Sequence, residues 1–184
     1  MKPIALAMLA LFVLVAAPAG IERANAAATG APPGLDQLDV FLGNWSCNGK
    51  AYASSTVPTP VTSGQIHAET AVDGQWIDMR YDETATATNQ DPFHVAQYLG
   101  YDPVTQKFLL VSVDNFLAHN TETSTGWKGN TITFEGTTVS DGRNAGIRET
   151  YTVLNPNEMT HSAAARGANG QWITTDEETC RKIP

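Results

Sequence analysis

Two cysteines near opposite ends of the chain constrain its fold more than any other feature. Cys47 belongs to the segment Asn44-Trp45-Ser46-Cys47, which follows Phe41-Leu42-Gly43, and Cys180 lies four residues from the C-terminus. There is no other cysteine and no Cys-x-x-Cys motif, so in an exported chain a disulfide is favoured over a metal or redox site. This bond would fasten the first predicted strand to the last and close an antiparallel sheet into a barrel.

The N-terminus has the layout of a secretory signal peptide. Met1-Lys2 precedes an apolar run over 4–17, and a break over 18–20 is followed by Ala24-Asn25-Ala26, which suits a signal peptidase. The apolar run is shorter than the roughly 18 residues of a membrane-spanning helix. We therefore predict a cleaved signal and a periplasmic or secreted protein that does not insert into a membrane after cleavage. The predicted domains are a signal peptide over 1–26, a flexible leader over 27–34 and one barrel domain over 35–184.

Charge excludes two classes of partner. Cleavage would remove Glu22, Lys2 and Arg23 from the 19 acidic and 11 basic residues and leave a formal charge of −9. An acidic chain without a Lys/Arg cluster repels phosphate groups, so neither a nucleic-acid partner nor an anionic membrane surface is expected. No feature of the sequence indicates an oligomeric state.

The pattern after Gly43 is typical of an all-β protein. Short segments rich in threonine, valine and aromatic residues alternate with turn signals, and no long helical period occurs. Before Gly43, apolar residues at helical spacing over 35–42 predict a short helical turn at one barrel end. The candidate strands are 45–53, 64–72, 75–84, 93–101, 107–114, 118–126, 131–136, 146–154, 158–166 and 171–181. We predict a closed antiparallel up-and-down barrel of about eight to ten strands, because an even count places the first and last strands side by side.

Several motifs resemble one protein family. Phe41-Leu42-Gly43-Asn44-Trp45 resembles the opening of lipocalin-like proteins, where a short helical turn leads into Gly-x-Trp. Gly100-Tyr101-Asp102-Pro103, the segment 126–136 and Arg148-Glu149-Thr150 extend the similarity over most of the mature chain. Together they resemble an exported bacterial lipocalin-like, calycin-type family of unknown function. The resemblance implies a lipocalin-like barrel and no established reaction.

The same resemblance implies structural roles for Gly43, Trp45 and Arg181, with the arginine covering the Trp45 ring. The alternation of side chains along a strand argues against placing Arg181 over the Trp45 ring. Trp45 and Cys47 share a face, and a bridge would place Cys180 on the same face, so Arg181 would point away unless a bulge intervenes. Lys182 has the better parity.

Aromatic residues on the predicted strands can form either a core or the wall of an apolar cavity. The leading hypothesis is a non-enzymatic barrel, without a cofactor, that holds a small apolar or amphipathic molecule. The predicted ligand-binding residues are Trp76, Tyr81, Phe93, Tyr98, Trp127 and Tyr151.

Three alternatives remain open. The chain has no Gly-x-Ser-x-Gly, phosphate loop or metal-ligand spacing, so no catalytic or metal-binding residue is predicted. A desolvated carboxylate in the lumen, at Asp78, Asp114 or Glu149, would support isomerase, cyclase or lyase chemistry. A filled barrel would favour an envelope structural or interaction protein. Small barrels related to the resemblance bind haem through one histidine near the C-terminal strands, which makes His161 the candidate for that role.

The acidic run Asp176-Glu177-Glu178 lies on the last predicted strand. Because neighbouring strand residues point to opposite faces, its members must divide between the two faces of the sheet.

Overall fold

A ten-stranded antiparallel sheet contains most of residues 31–52, 61–87 and 89–184, the part of the chain that this computed structural model describes. A 3₁₀ helix over Leu35–Phe41 precedes the sheet, as the helical spacing predicts. The strands are β1 (Gly43–Ala51), β2 (Val61–Ala71), β3 (Trp76–Glu83), β4 (His94–Asp102), β5 (Lys107–Asp114), β6 (His119–Ser124), β7 (Thr131–Ser140), β8 (Arg143–Asn155), β9 (Glu158–Arg166) and β10 (Trp172–Ile183). The predicted signal peptide and residues 27–30 of the predicted leader lie outside the described residues.

The sheet closes on itself. Each strand pairs with its neighbours in the chain, and β1 also pairs with β10, which completes an up-and-down barrel. Cys47 lies directly opposite Cys180 in that last pairing, and the two form a disulfide. The predicted all-β class, closed antiparallel barrel and bridged seam are confirmed.

The alternation of side chains along each strand determines which of them point into the barrel. On β3, Ile77 and Met79 are buried inside, while Asp78 and Arg80 form an ion pair of 2.9 Å on the outer wall. The hairpin between β7 and β8 turns on Asp141 and Gly142, whose φ angles of 50° and 69° fit a two-residue turn with both central residues left-handed.

The 3₁₀ helix closes one end of the barrel. Its Leu35, Leu38 and Phe41 are buried in the core, and the indole Nε1 of Trp45 donates a hydrogen bond of 2.8 Å to the carbonyl oxygen of Phe41. The Phe41 ring packs edge-on against Tyr151 at a centroid distance of 5.1 Å. This closed end is filled with side chains, so access to the interior is from the opposite end, where β1, β3, β5, β7 and β9 end.

The cation over Trp45 is Lys182 rather than Arg181. Nζ of Lys182 lies 5.0 Å from the centroid of the Trp45 ring, whereas Arg181 points outward and pairs with Glu158 at 2.6 Å. Regular alternation from Cys180 explains the difference, because Lys182 shares the face of Cys180 and Arg181 does not. At Gly43, φ is 111° and a Cβ would lie 2.9 Å from Cε of Lys182, so a glycine here leaves room for that side chain.

None of the helices in the described ranges is long and apolar enough to cross a membrane.

Candidate functional site

The open half of the barrel contains a cavity of about 330 Å³. This volume lies at the lower end of the roughly 300 to 1,000 Å³ typical of small-molecule pockets. Its apolar lining includes residues of four strands and the residue that precedes β4: Ile66, Val95, Ile147, Ala163 and Phe93. The lumen is therefore filled at the helical end and hollow at the other.

Polar and ionisable side chains form the inner end of this cavity. They stand at inward positions of six strands, so the same alternation that buries the core also brings them together. We call this set the polar floor: Tyr81, Gln97, Glu149, Tyr151, His161, Asp176 and Glu178, which line the cavity, and Glu122, which is buried beside Glu149.

Glu149 is a buried carboxylate of the polar floor that accepts two hydrogen bonds. Its Oε2 accepts from Nε2 of Gln97 at 2.8 Å and from the hydroxyl of Tyr151 at 2.9 Å. Burial alone would raise the pKa of Glu149, but the adjacent His161 and these hydrogen bonds outweigh burial and hold that pKa below its ordinary value. Glu149 is therefore ionised inside the barrel.

Glu122 behaves in the opposite way. It is 1 % exposed, and no described residue donates a hydrogen bond to either carboxyl oxygen. Burial, and then the neighbouring charge of Glu149, raise the pKa of Glu122 to about 9. Within the polar floor, Glu122 is thus neutral and Glu149 ionised at neutral pH.

His161 is the cation of the polar floor. Its ring lies 4.6 Å from the Tyr151 ring, with Nε2 3.4 Å from Oε2 of Glu149 and Nδ1 3.6 Å from Oδ1 of Asp176. Nε2 has no hydrogen-bond partner among the described residues, and the Nδ1 contact is too long for a hydrogen bond, so the attraction is between charges. Burial lowers the pKa of His161, but the surrounding carboxylates raise it further, to about 9.

The haem alternative does not fit this environment. A histidine binds haem iron through the lone pair of a neutral ring. Both ring nitrogens of His161 lie against carboxylates, and the raised pKa keeps both protonated at neutral pH.

These pKa shifts predict that the barrel loses stability as the solution becomes alkaline. Glu122 and His161 both have a higher pKa in the folded chain, about 9, than their ordinary values of 4.5 and 6.5. Each group therefore stabilises the fold fully below its ordinary pKa and loses that contribution as the pH rises to about 9. Urea unfolding measured between pH 5 and pH 10 should show a falling free energy of unfolding.

The variant Glu122→Gln should flatten this dependence, because the amide keeps the shape of the neutral acid and cannot ionise. At pH 9.5 we expect it to be at least about 1 kcal/mol more stable than the unmodified protein, since each pKa unit corresponds to about 1.4 kcal/mol. At pH 5 the two should unfold alike. The exposed change Asp91→Asn is the control. Equal pH profiles for Glu122→Gln and the unmodified protein would show that Glu122 is already ionised at neutral pH.

Tyr81 and Glu178 form the side of the polar floor nearest the seam. The hydroxyl of Tyr81 donates to Oε1 of Glu178 at 2.7 Å, and Thr62 approaches the same oxygen at 3.3 Å. A Cβ at Gly64 would lie 2.6 Å from the Tyr81 ring, so the absence of a side chain there permits this position. Burial is the main reason that the pKa values of Asp176 and Glu178 are raised.

The acidic run on β10 divides as alternation predicts. Asp176 and Glu178 line the cavity, while Glu177 points outward and accepts a hydrogen bond of 2.6 Å from the hydroxyl of Tyr52.

Three of the six predicted ligand-binding residues line the cavity: Tyr81, Phe93 and Tyr151. The other three do not. Trp76 and Tyr98 alternate with inward residues and therefore lie on the outer wall, where the Trp76 ring covers Gly100. Trp127 packs at the closed end against Phe41, and its Nε1 donates to the carbonyl oxygen of Gln37 at 3.0 Å.

Two of the three carboxylates predicted as candidates for lumen chemistry lie at the cavity, and one does not. Glu149 and Asp114 line the cavity, whereas Asp78 is on the outer wall with Arg80. Sequence reasoning missed Gln97 and Glu122, which are polar residues at inward positions. The only sequence signal for such a residue is a position two residues from a buried neighbour on the same strand, as Gln97 is from Leu99.

Metal binding has little support in the described ranges. The one group of three or more His, Cys, Asp or Glu ligand atoms within 4.8 Å is Cys47, Glu178 and Cys180. Its two sulfur atoms are already joined in the disulfide.

Residues 35–182 match a family described as "Protein of unknown function (DUF1579)". The chain belongs to this family. The match begins at the 3₁₀ helix and ends one residue before the last residue of β10, so it spans the whole barrel. No curated protein matches the chain.

A solved structure with low sequence identity shares the architecture. The crystal structure of Rv2717c from M. tuberculosis aligns with a TM-score of 0.66 at 16 % identity, over 84 % of this chain and 99 % of that one. At this identity the similarity shows the fold alone. A redesigned β-barrel aligns at a TM-score of 0.43, with 10 % identity over 79 % of this chain and 94 % of that one. A protein of unknown function of the DUF3598 family from Nostoc punctiforme aligns at 0.28, with 10 % identity over 80 % and 99 %.

Proposed function

We propose that this protein is an exported lipocalin-like carrier that holds one small amphipathic molecule in its cavity. The observation that supports it most is a cavity that ends inside the barrel and is lined both by apolar wall residues and by the polar floor. A ligand with an apolar part and a polar end matches that division. Export is supported by the signal-like N-terminus and by the disulfide, which suits an oxidising compartment.

The hollow half of the lumen disfavours a purely structural barrel. A scaffold gains stability by filling its interior, since each empty volume forfeits packing. Here the closed end is packed around Phe41, Trp45 and Phe134, while the open end retains a cavity bounded by ionisable groups. Ionisable groups inside a barrel are costly to keep, which favours a role in binding or chemistry.

Native mass spectrometry of the protein purified from the exporting host tests the proposal. We expect an adduct of one small molecule, which solvent extraction removes. The variant Ala163→Phe should reduce the adduct at least tenfold, because Ala163 lines the cavity and a ring there would occupy it. Ala164→Phe is the matched control, since its side chain points outward on the same strand. A reproducibly empty protein, or an adduct that survives Ala163→Phe, would contradict the carrier role.

A second candidate function is proton-transfer catalysis. The polar floor holds a neutral Glu122 near an ionised Glu149, and Glu149 lines the cavity. Two carboxyl groups with pKa values driven apart are the usual arrangement for an acid and a base. Incubation of the loaded protein in D₂O should then place deuterium on carbon in the extracted ligand, and Glu149→Gln should prevent this. A ligand without deuterium would dismiss catalysis and leave the carrier role intact.

A further inference from the structure

We propose that the ligand carries an organic cation, such as a primary ammonium, which binds against Asp176 and Glu178 while its apolar tail extends to the mouth of the barrel. This inference rests on the proposed carrier function and specifies the chemistry of its ligand.

The charges around the cavity are the first support. Among the described residues that line it, His161 is the one cationic side chain, and none is a lysine or arginine. Five lining residues are acidic: Glu83, Asp114, Glu149, Asp176 and Glu178. A cavity walled by one sign of charge attracts the opposite sign and repels its own. Anionic ligands such as fatty acids are therefore disfavoured.

Asp176 and Glu178 are the carboxylates best placed to receive the cation. Glu149 is already occupied by Gln97, Tyr151 and His161. Asp176 also has neighbours, since Thr175 donates to its Oδ2 at 3.0 Å and His161 lies near its Oδ1, but its side chain is 34 % exposed, against 5 % for Glu149. The described hydrogen bonds to Glu178 both end on Oε1, from Tyr81 and Thr62, which leaves Oε2 for a ligand.

The mouth of the cavity supplies the apolar contact for a tail. The ring of Phe93 lines the cavity and stacks on that of Phe116 at 6.2 Å with an interplanar angle of 9°. Phe116 and Leu117 are 55 % and 88 % exposed. Two carboxylates hold these rings in place, since Glu83 accepts from the backbone N–H of Phe93 and Asp114 from that of Phe116. An alkyl chain that extends from the polar floor to the mouth would contact the rings of Phe93 and Phe116.

Isothermal titration calorimetry at pH 7 with three probes of equal chain length tests the inference: octylammonium, octanol and octanoate. We expect octylammonium to bind at least tenfold more tightly than octanol, and octanoate not to bind. Asp176→Asn and Glu178→Gln should each weaken octylammonium binding at least tenfold, because hydrogen bonds to charged groups are worth about 1.5 to 3 kcal/mol. Octanol binding should stay within twofold in both variants, which shows that the barrel is still folded.

Glu177→Gln is the matched control, because this residue adjoins Glu178 but points outward to Tyr52. It should bind octylammonium as tightly as the unmodified protein. Equal affinities for the three probes, or tighter binding of octanoate, would overturn the cationic head group and leave the carrier role standing. Equal losses in Glu177→Gln and Glu178→Gln would also overturn it, because surface charge alone would then explain the affinity. If none of the probes binds, the head-group inference fails, and native mass spectrometry decides separately whether the carrier role fails with it.

Discussion

Replacing Cys47 and Cys180 together with alanine is expected to lower the free energy of unfolding by about 3 to 5 kcal/mol. The bridge joins residues 133 positions apart, so its loss restores a large amount of chain entropy to the unfolded state. In the chain-entropy model a loop of this size corresponds to about 5 kcal/mol, and measured values are often smaller. The native contacts between β1 and β10 otherwise remain.

Urea unfolding with and without a reductant measures this effect. The unmodified protein should lose most of its advantage over the double variant once dithiothreitol reduces the bridge. The variant itself should respond little to dithiothreitol. Identical unfolding midpoints for oxidised protein and double variant would show that the seam is held by strand pairing alone.

The variant Phe41→Ala is expected to cost about 3 to 5 kcal/mol, the usual range for removing a buried phenylalanine ring. Phe41 is fully buried in the 3₁₀ helix, and its ring contacts both Trp127 and Tyr151. Its loss would open a void between the helix and the polar floor. Because Tyr151 hydrogen-bonds to Glu149, this substitution should also loosen the site.

Phe116→Ala is the matched control, since it removes the same ring from a position that is 55 % exposed. It should cost less than about 1 kcal/mol, as surface substitutions usually do. Thermal or urea unfolding of both variants gives the comparison. Similar losses for the two would mean that the helix does not plug the barrel as the structure indicates.

The closed barrel was predictable because its signals are local and repeat along the chain. The 3₁₀ helix follows from apolar spacing over 35–42, and each strand follows from short alternating segments between turns. The parity argument from Cys47 and Cys180 also favoured Lys182 over Arg181 as the cover of Trp45. Because side chains alternate strictly along a strand, the disulfide fixes the face on which every nearby residue of β1 and β10 lies.

Strand lengths were less predictable where glycine occurs inside a strand. The sequence prediction ended the seventh strand at Gly136, but β7 continues to Ser140 and β8 begins at Arg143. A Cβ at position 136 would lie 2.0 Å from the carbonyl oxygen of Thr121 on β6. Glycine there permits close approach of two backbones and does not end the strand.

The polar floor was the least predictable part of the molecule. Outward and inward positions differ by one residue, so the aromatic character of Trp76 and Tyr98 could not reveal that both lie outside. Glu122 stands between the polar Asn120 and Ser124, so β6 has no apolar neighbours to mark its inner face. The environment of such residues is set by strands distant in sequence.

The most direct test of the central claim is a crystal structure of the protein grown at pH 7 with 8-bromooctylammonium. The cavity and its polar floor predict an anomalous bromine peak at the mouth, beside Phe93 and Phe116. The ammonium should lie against Asp176 and Glu178. A lumen filled by side chains, or bromine found only on the outer wall, would contradict it.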